Sequence, residues 1–154
     1  MRKSAQTLGP AVAILLWQSS AFAALGSDVH SVRIDRESMH GQLQSTSMQQ
    51  YVLHEITTSG GTLVHEYETQ QGKIFAVTWS GPIPPNLQQL FGSYYAQFQV
   101  AAAASAQVHP GMHRQISIAQ PDFVMQALGR MRSFHGKAFV PSLVPAGVSV
   151  AELP

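Results

Sequence analysis

Seven histidines, eight carboxylates and no cysteine set the chemistry that this chain can carry. Thiol nucleophiles and thiolate-bound zinc are excluded, which leaves imidazole, carboxylate, hydroxyl and guanidinium groups. His109 and His113 have the four-residue spacing of two ligands on one helix face, but Pro110-Gly111 between them breaks any such helix, and no His-Glu-x-x-His run occurs. His54 and His65 fall on neighbouring strand-like segments and could approach each other across a hairpin, with Glu55 and Glu66 on the opposite face by alternation. Sheet histidines without a metal are the reading, and no cofactor is expected. Glu55, Glu66 and Glu68 offer carboxylate pairs for glycoside chemistry, yet Glu66 and Glu68 two apart read more simply as a solvated strand face. There is no Gly-x-Ser-x-Gly elbow, and Gly60-Gly61 and Gly72 are turn glycines rather than a phosphate cradle.

The densest set of functional side chains is Arg130, Arg132, Phe134, His135, Lys137 and Phe139. If Arg130 to Val140 is one extended strand, the two arginines and Phe134 project together, and paired guanidinium donors beside a flat ring suit a carboxylate, a phosphate or a sugar acid. The competing reading makes them charges on the wet side of an edge strand, discouraging sheet-to-sheet pairing. Arg130, Arg132 and Lys137 are therefore the candidates for binding an anion or partner; no catalytic, cofactor or metal residue is assigned.

These groups need a scaffold, and the stretch Gly72 to Pro82 organises it. Ile74 to Val77 is an unbroken apolar run; Phe75, Val77 and Trp79 are expected on one face and Ile74, Ala76 and Thr78 on the other. Such a strand must be covered on both sides. Tyr51 to Thr57, Thr62 to Thr69 and Lys73 to Ser80, joined at Ser59-Gly60-Gly61 and Gln70-Gln71-Gly72, predict an antiparallel meander. Gly81-Pro82-Ile83-Pro84-Pro85 ends the sheet, Asn86 is placed to cap, and Leu87, Leu90, Phe91, Tyr94 and Phe98 recur at helical spacing up to Ala102. Gly92 is a weak point or a break in that helix. A short helix is expected near Ser31 to His40 within a polar lead-in, and Arg114 to Ala119, Phe123 to Leu128 and Arg130 to Val140 are strand-compatible.

Arg2-Lys3, an apolar stretch from Leu8 to Trp17 and Ala21-Phe22-Ala23 have the layout of a secretory signal peptide over residues 1–23, cleaved after Ala23. The apolar run is far short of the roughly 20 residues that span a bilayer. Loss of Arg2 and Lys3 takes the formal charge from +1 to −1, so nucleic acid has no support as a partner. Without cysteine, an exported domain of this size must be held by packing alone.

Ala24-Leu25-Gly26, Glu66-Tyr67, Gly72 to Pro82, Leu90-Phe91-Gly92-Ser93-Tyr94-Tyr95, Met131 to Pro141 and Pro145-Ala146-Gly147-Val148 together resemble DUF2844, an exported bacterial family of unknown function. The resemblance covers nearly the whole chain after residue 23 and implies export and a shared fold, but no activity. The expectation is a single α+β domain over residues 24–140: an antiparallel sheet of about five to six strands with the Leu87 to Ala102 helix on one face, and an extended proline-rich tail over residues 141–154. In function the chain reads as a non-enzymatic binding or interaction protein of the cell envelope, periplasmic or secreted. The alternative is a hydrolase using histidine and carboxylate chemistry, which only convergence of polar groups in three dimensions distinguishes.

Overall fold

The computed structural model describes residues 24–108 and 115–153, with the side chains of α3 described as far as residue 105. The expected signal peptide and the His109 to Arg114 segment lie outside the described residues. Seven antiparallel strands, β1 (Gln42–Ser47), β2 (Tyr51–Thr57), β3 (Leu63–Thr69), β4 (Ile74–Gly81), β5 (Gln115–Ala119), β6 (Val124–Arg130) and β7 (Ser133–Phe139), form one sheet in the order β1-β2-β3-β4-β7-β6-β5. The predicted meander is its first half. Three helices, α1 (His30–Ser38), α2 (Leu87–Phe91) and α3 (Tyr95–Val108), complete an α+β fold with a main packed helical segment and a minor helix.

The helices cover one face of the sheet. Ile56, Val64, Ile74, Val77, Trp79, Met125 and Ala138 from the strands pack there with Ala24, Leu25, Val32, Leu90, Phe91 and Phe123. Asn86 caps α2 by accepting the Gln89 amide at 3.2 Å. Gly92, at φ +48°, turns the chain into a single 3-10 turn before α3, so the expected helix is broken at the glycine. The helical stripe nonetheless stays aimed at the core: Leu87, Tyr94, Phe98 and Ala101 pack around the buried Leu90 and Phe91. Phe91 is the hub of an aromatic cluster, with ring centres 5.8 Å from Trp79, 5.7 Å from Phe98 and 5.5 Å from Phe123. Opposite Trp79 in the ladder stands Gly136, where a Cβ would lie 2.1 Å from the indole; only a glycine lets the ring cross β7.

Three expectations need correction. Phe75 does not share a face with Val77 and Trp79. Tyr67 pairs with Ala76 but Glu68 pairs with Ile74, so Phe75 is the extra residue of a β-bulge. The bulge turns Phe75 and Ala76 together to the face away from the helices. The sheet has seven strands rather than five or six, because the lead-in contributes β1, an edge strand whose side chains are exposed apart from the half-buried Leu43. Arg130 to Val140 is not one strand: β6 ends at Arg130, Met131-Arg132 makes a two-residue turn with Arg132 at φ +57°, and β7 returns from Ser133.

On the second face, Tyr67, Phe75 and Ala76 are buried beneath Tyr51, Leu53 and Phe139 and beneath Leu143, Val144, Val148 and Leu153 of the C-terminal segment. That segment passes through two single 3-10 turns, Pro141–Leu143 and Val150–Glu152. It is tied down by Val140 N–H to Phe75 C=O at 2.9 Å and by Gln50 Nε2 to Ala146 C=O at 3.3 Å. Part of this face remains uncovered.

Candidate functional site

The uncovered part is an open groove of about 520 Å³. Register explains its lining. One cross-strand row runs His65, Thr78, Lys137, Gln126, and the next runs Leu63, Ser80, His135, Leu128, Gln115, all on the face away from the helices. Leu153 of the C-terminal segment makes one wall. A polar row beside a mixed row, flanked by Leu63, Leu128 and Leu153, offers orientation by hydrogen bonds together with apolar contact.

The polar row is preorganised at one end. His65 Nε2 lies 3.1 Å from Glu55 Oε2, and its Nδ1 lies 3.4 Å from Thr78 Oγ1 and 3.5 Å from the Tyr67 hydroxyl. Burial pushes the Tyr67 hydroxyl up to about 12, so it stays protonated among these neighbours. In the second row, His135 Nε2 lies 2.9 Å from Ser133 Oγ. Lys137, half-buried between Thr78 and Gln126, makes no ion pair among the described residues.

Of the three sequence candidates, the structure places Lys137 in the groove and the two arginines outside its lining. Arg130 and Arg132 are exposed at the β6–β7 turn, flanking Met131, which is 93 % exposed. The turn removes the strand alternation that would have set them side by side. Guarding an edge is also not their role, because β6 and β7 are interior strands and the edges are β1 and β5.

His54 and His65 do not approach each other either. The ladder pairs His54 with Glu66 and Glu55 with His65, which puts the two imidazoles on opposite faces. His54 is buried on the helix side, its Nε2 2.8 Å from Glu68 Oε2 and its Nδ1 2.8 Å from Ser45 Oγ. Glu66 is far from a solvated strand residue: it is fully buried, as is Asp35 of α1. Burial pushes Asp35 up to about 6, and burial next to the Asp35 charge holds Glu66 well above the usual carboxylate range. Gln89 Nε2 donates to Asp35 Oδ1, while Asp35 Oδ2 and both Glu66 oxygens find no N–H or hydroxyl partner. A proton kept on Glu66 and donated to Asp35 joins the two carboxyls, as in other carboxyl pairs that cannot both ionise. Among the described residues, no group of three His or carboxylate side chains is arranged to hold a metal ion.

No helix among the described residues is long and apolar enough to cross a membrane. Comparison with curated proteins and with solved structures gives no match. The family model described as "Protein of unknown function (DUF2844)" matches residues 21–153, which carries the resemblance from the Ala24-Leu25-Gly26 start to the C-terminal segment, and the chain belongs to that family.

Proposed function

We propose that this is an exported binding protein of the bacterial cell envelope, and that the groove takes, without turning it over, an anionic ligand bearing an apolar portion. The observation that carries this reading is Lys137: a half-buried lysine without an ion-pair partner among the described residues, set in a polar row beside three leucines. Among the described residues, no Asp or Glu lines the groove. A ligand phosphate or carboxylate supplies the missing counter-charge, and the apolar wall of Leu63, Leu128 and Leu153 takes the rest of the molecule. Titration calorimetry with decyl phosphate, inorganic phosphate and decanol tests it. Decyl phosphate is expected to bind, decanol and inorganic phosphate to bind at least about 10-fold more weakly, and Lys137→Gln to lose about 10-fold or more, a loss of about 1.4 kcal/mol per decade. Arg130→Gln with Arg132→Gln should leave binding unchanged. Equal affinity of wild type and Lys137→Gln contradicts the assignment.

Export belongs to the same reading, supported by the Arg2-Lys3 start, the short apolar run and Ala21-Phe22-Ala23. Ala24 and Leu25, the first residues after the expected cleavage, are buried in the core, with Leu25 N–H donating to Leu90 C=O at 3.0 Å. Intact mass of protein recovered from the periplasm or medium should begin at Ala24; a mass that includes Met1 would refute cleavage.

A further inference from the structure

The helix side of the sheet carries a second, smaller cleft of about 280 Å³, lined by Val29, His30, Val32 and Arg33 from the α1 region and by Leu43, Ser45 and His54 from β1 and β2. Three neighbouring strands meet there in a chain of hydrogen bonds. Ser45 and His54 are directly opposed in the β1–β2 ladder, Ser45 Oγ lies 2.8 Å from His54 Nδ1, and His54 Nε2 lies 2.8 Å from Glu68 Oε2 on β3. The carboxylate decides the roles. An ionised Glu68 only accepts, so Nε2 carries the imidazole proton and Nδ1 presents its lone pair, leaving Ser45 to donate its hydroxyl proton to Nδ1. That is a nucleophile, a general base and an orienting carboxylate, with the serine exposed and the histidine buried.

We propose that Ser45, His54 and Glu68 form a catalytic centre for hydrolysis of small esters, separate from the groove and on the opposite face of the sheet. Ser45 Oγ attacks the ester carbonyl carbon as its proton passes to His54 Nδ1. The carbon–oxygen bond to the alcohol then breaks, and the departing oxygen takes that proton from Nδ1. Water next gives a proton to Nδ1 while its oxygen bonds to the acyl carbon; the Ser45–acyl bond breaks, Oγ regains the proton and the carboxylic acid leaves. Glu68 does not touch the substrate; it is a positioning residue that fixes the ring and favours the imidazolium formed in each half-reaction. Val29, Val32 and Leu43 give the cleft apolar walls suited to a short acyl chain, and Arg33 on the same wall offers donors for the oxyanion.

The test uses the purified protein with a fluorophosphonate probe and with p-nitrophenyl butyrate. Wild type should gain one probe mass, mapped to Ser45 by peptide sequencing, and Ser45→Ala, at an exposed position, should keep its melting temperature and lose the label. Butyrate ester turnover should fall at least about 100-fold in Ser45→Ala. In Glu68→Gln kcat should fall about 10-fold or more with KM little changed, whereas a merely structural Glu68 would move the melting temperature and leave kcat per folded molecule as it was. Absence of label on folded wild type, label at another residue, or equal turnover by Ser45→Ala overturns the proposal. Labelling and turnover that persist in Lys137→Gln show that this centre is independent of the groove; their loss there overturns that separation.

Discussion

Trp79→Ala is expected to lower the stability of the domain by about 3–5 kcal/mol, through lost burial and the cavity left behind. Trp79 is 5 % exposed, meets Phe91 at 5.8 Å, and fills the space kept clear by Gly136. No neighbour on β7 can move in to replace it, since the position opposite has no side chain, so the cavity should collapse little. With no disulfide to restrain the unfolded chain, a loss of this size is a large fraction of the roughly 5–15 kcal/mol that small domains have. Because the substitution removes Trp79 as a fluorescent reporter, urea denaturation followed by far-ultraviolet circular dichroism reads both proteins. A midpoint equal to that of wild type would remove Trp79 from the core.

The buried acid pair makes a second large prediction, on pH. Asp35 rises from 3.8 to about 6 on folding, and Glu66 rises well above 4.5. The folded state therefore binds protons that the unfolded state has released, so the contribution of the pair to stability is greatest below about pH 4. It weakens as pH rises through about 6 and continues to weaken through the higher range where Glu66 still holds its proton. Glu66→Gln keeps a donor facing Asp35 without a proton to lose. The variant should gain stability over wild type as pH is raised from 5 to 8, seen as melting curves that diverge with pH; curves that stay parallel would show that Glu66 ionises freely.

What the sequence made legible, and what it hid, follows from how local each signal is. The β2 to β4 meander and the Leu87 to Phe98 stripe were readable because alternation and helical spacing are properties of one segment. The bulge at Phe75 was not, because in an apolar run both faces look alike and the phase can slip without changing the pattern. β1 was hidden for the opposite reason: Gln42 to Ser47 is an exposed edge and carries almost no apolar signal. The hairpin at Met131-Arg132 lacks the Asn-Gly or Gly-Gly that marks such turns, so in sequence two strands read as one and the arginines as a side-by-side pair. His54 and His65 were singled out, but their faces depend on the register across the Ser59-Gly60-Gly61 turn, which spacing alone left one residue out of phase. Glu66 looked like surface because its neighbour Asp35, and the Gln89 that bonds Asp35, come from distant parts of the chain. Lys137 was named from its neighbours in sequence, whereas its place in the groove comes from Thr78 and Gln126 on the flanking strands.

The groove is the centre of the account, and backbone amide shifts of 15N-labelled protein titrated with decyl phosphate address it directly. Perturbations should concentrate at His65, Thr78, Ser80, Gln126, His135 and Lys137, saturate together, and vanish in Lys137→Gln. Shifts confined to the Arg130–Ser133 turn, or saturable shifts that survive in Lys137→Gln, would contradict it.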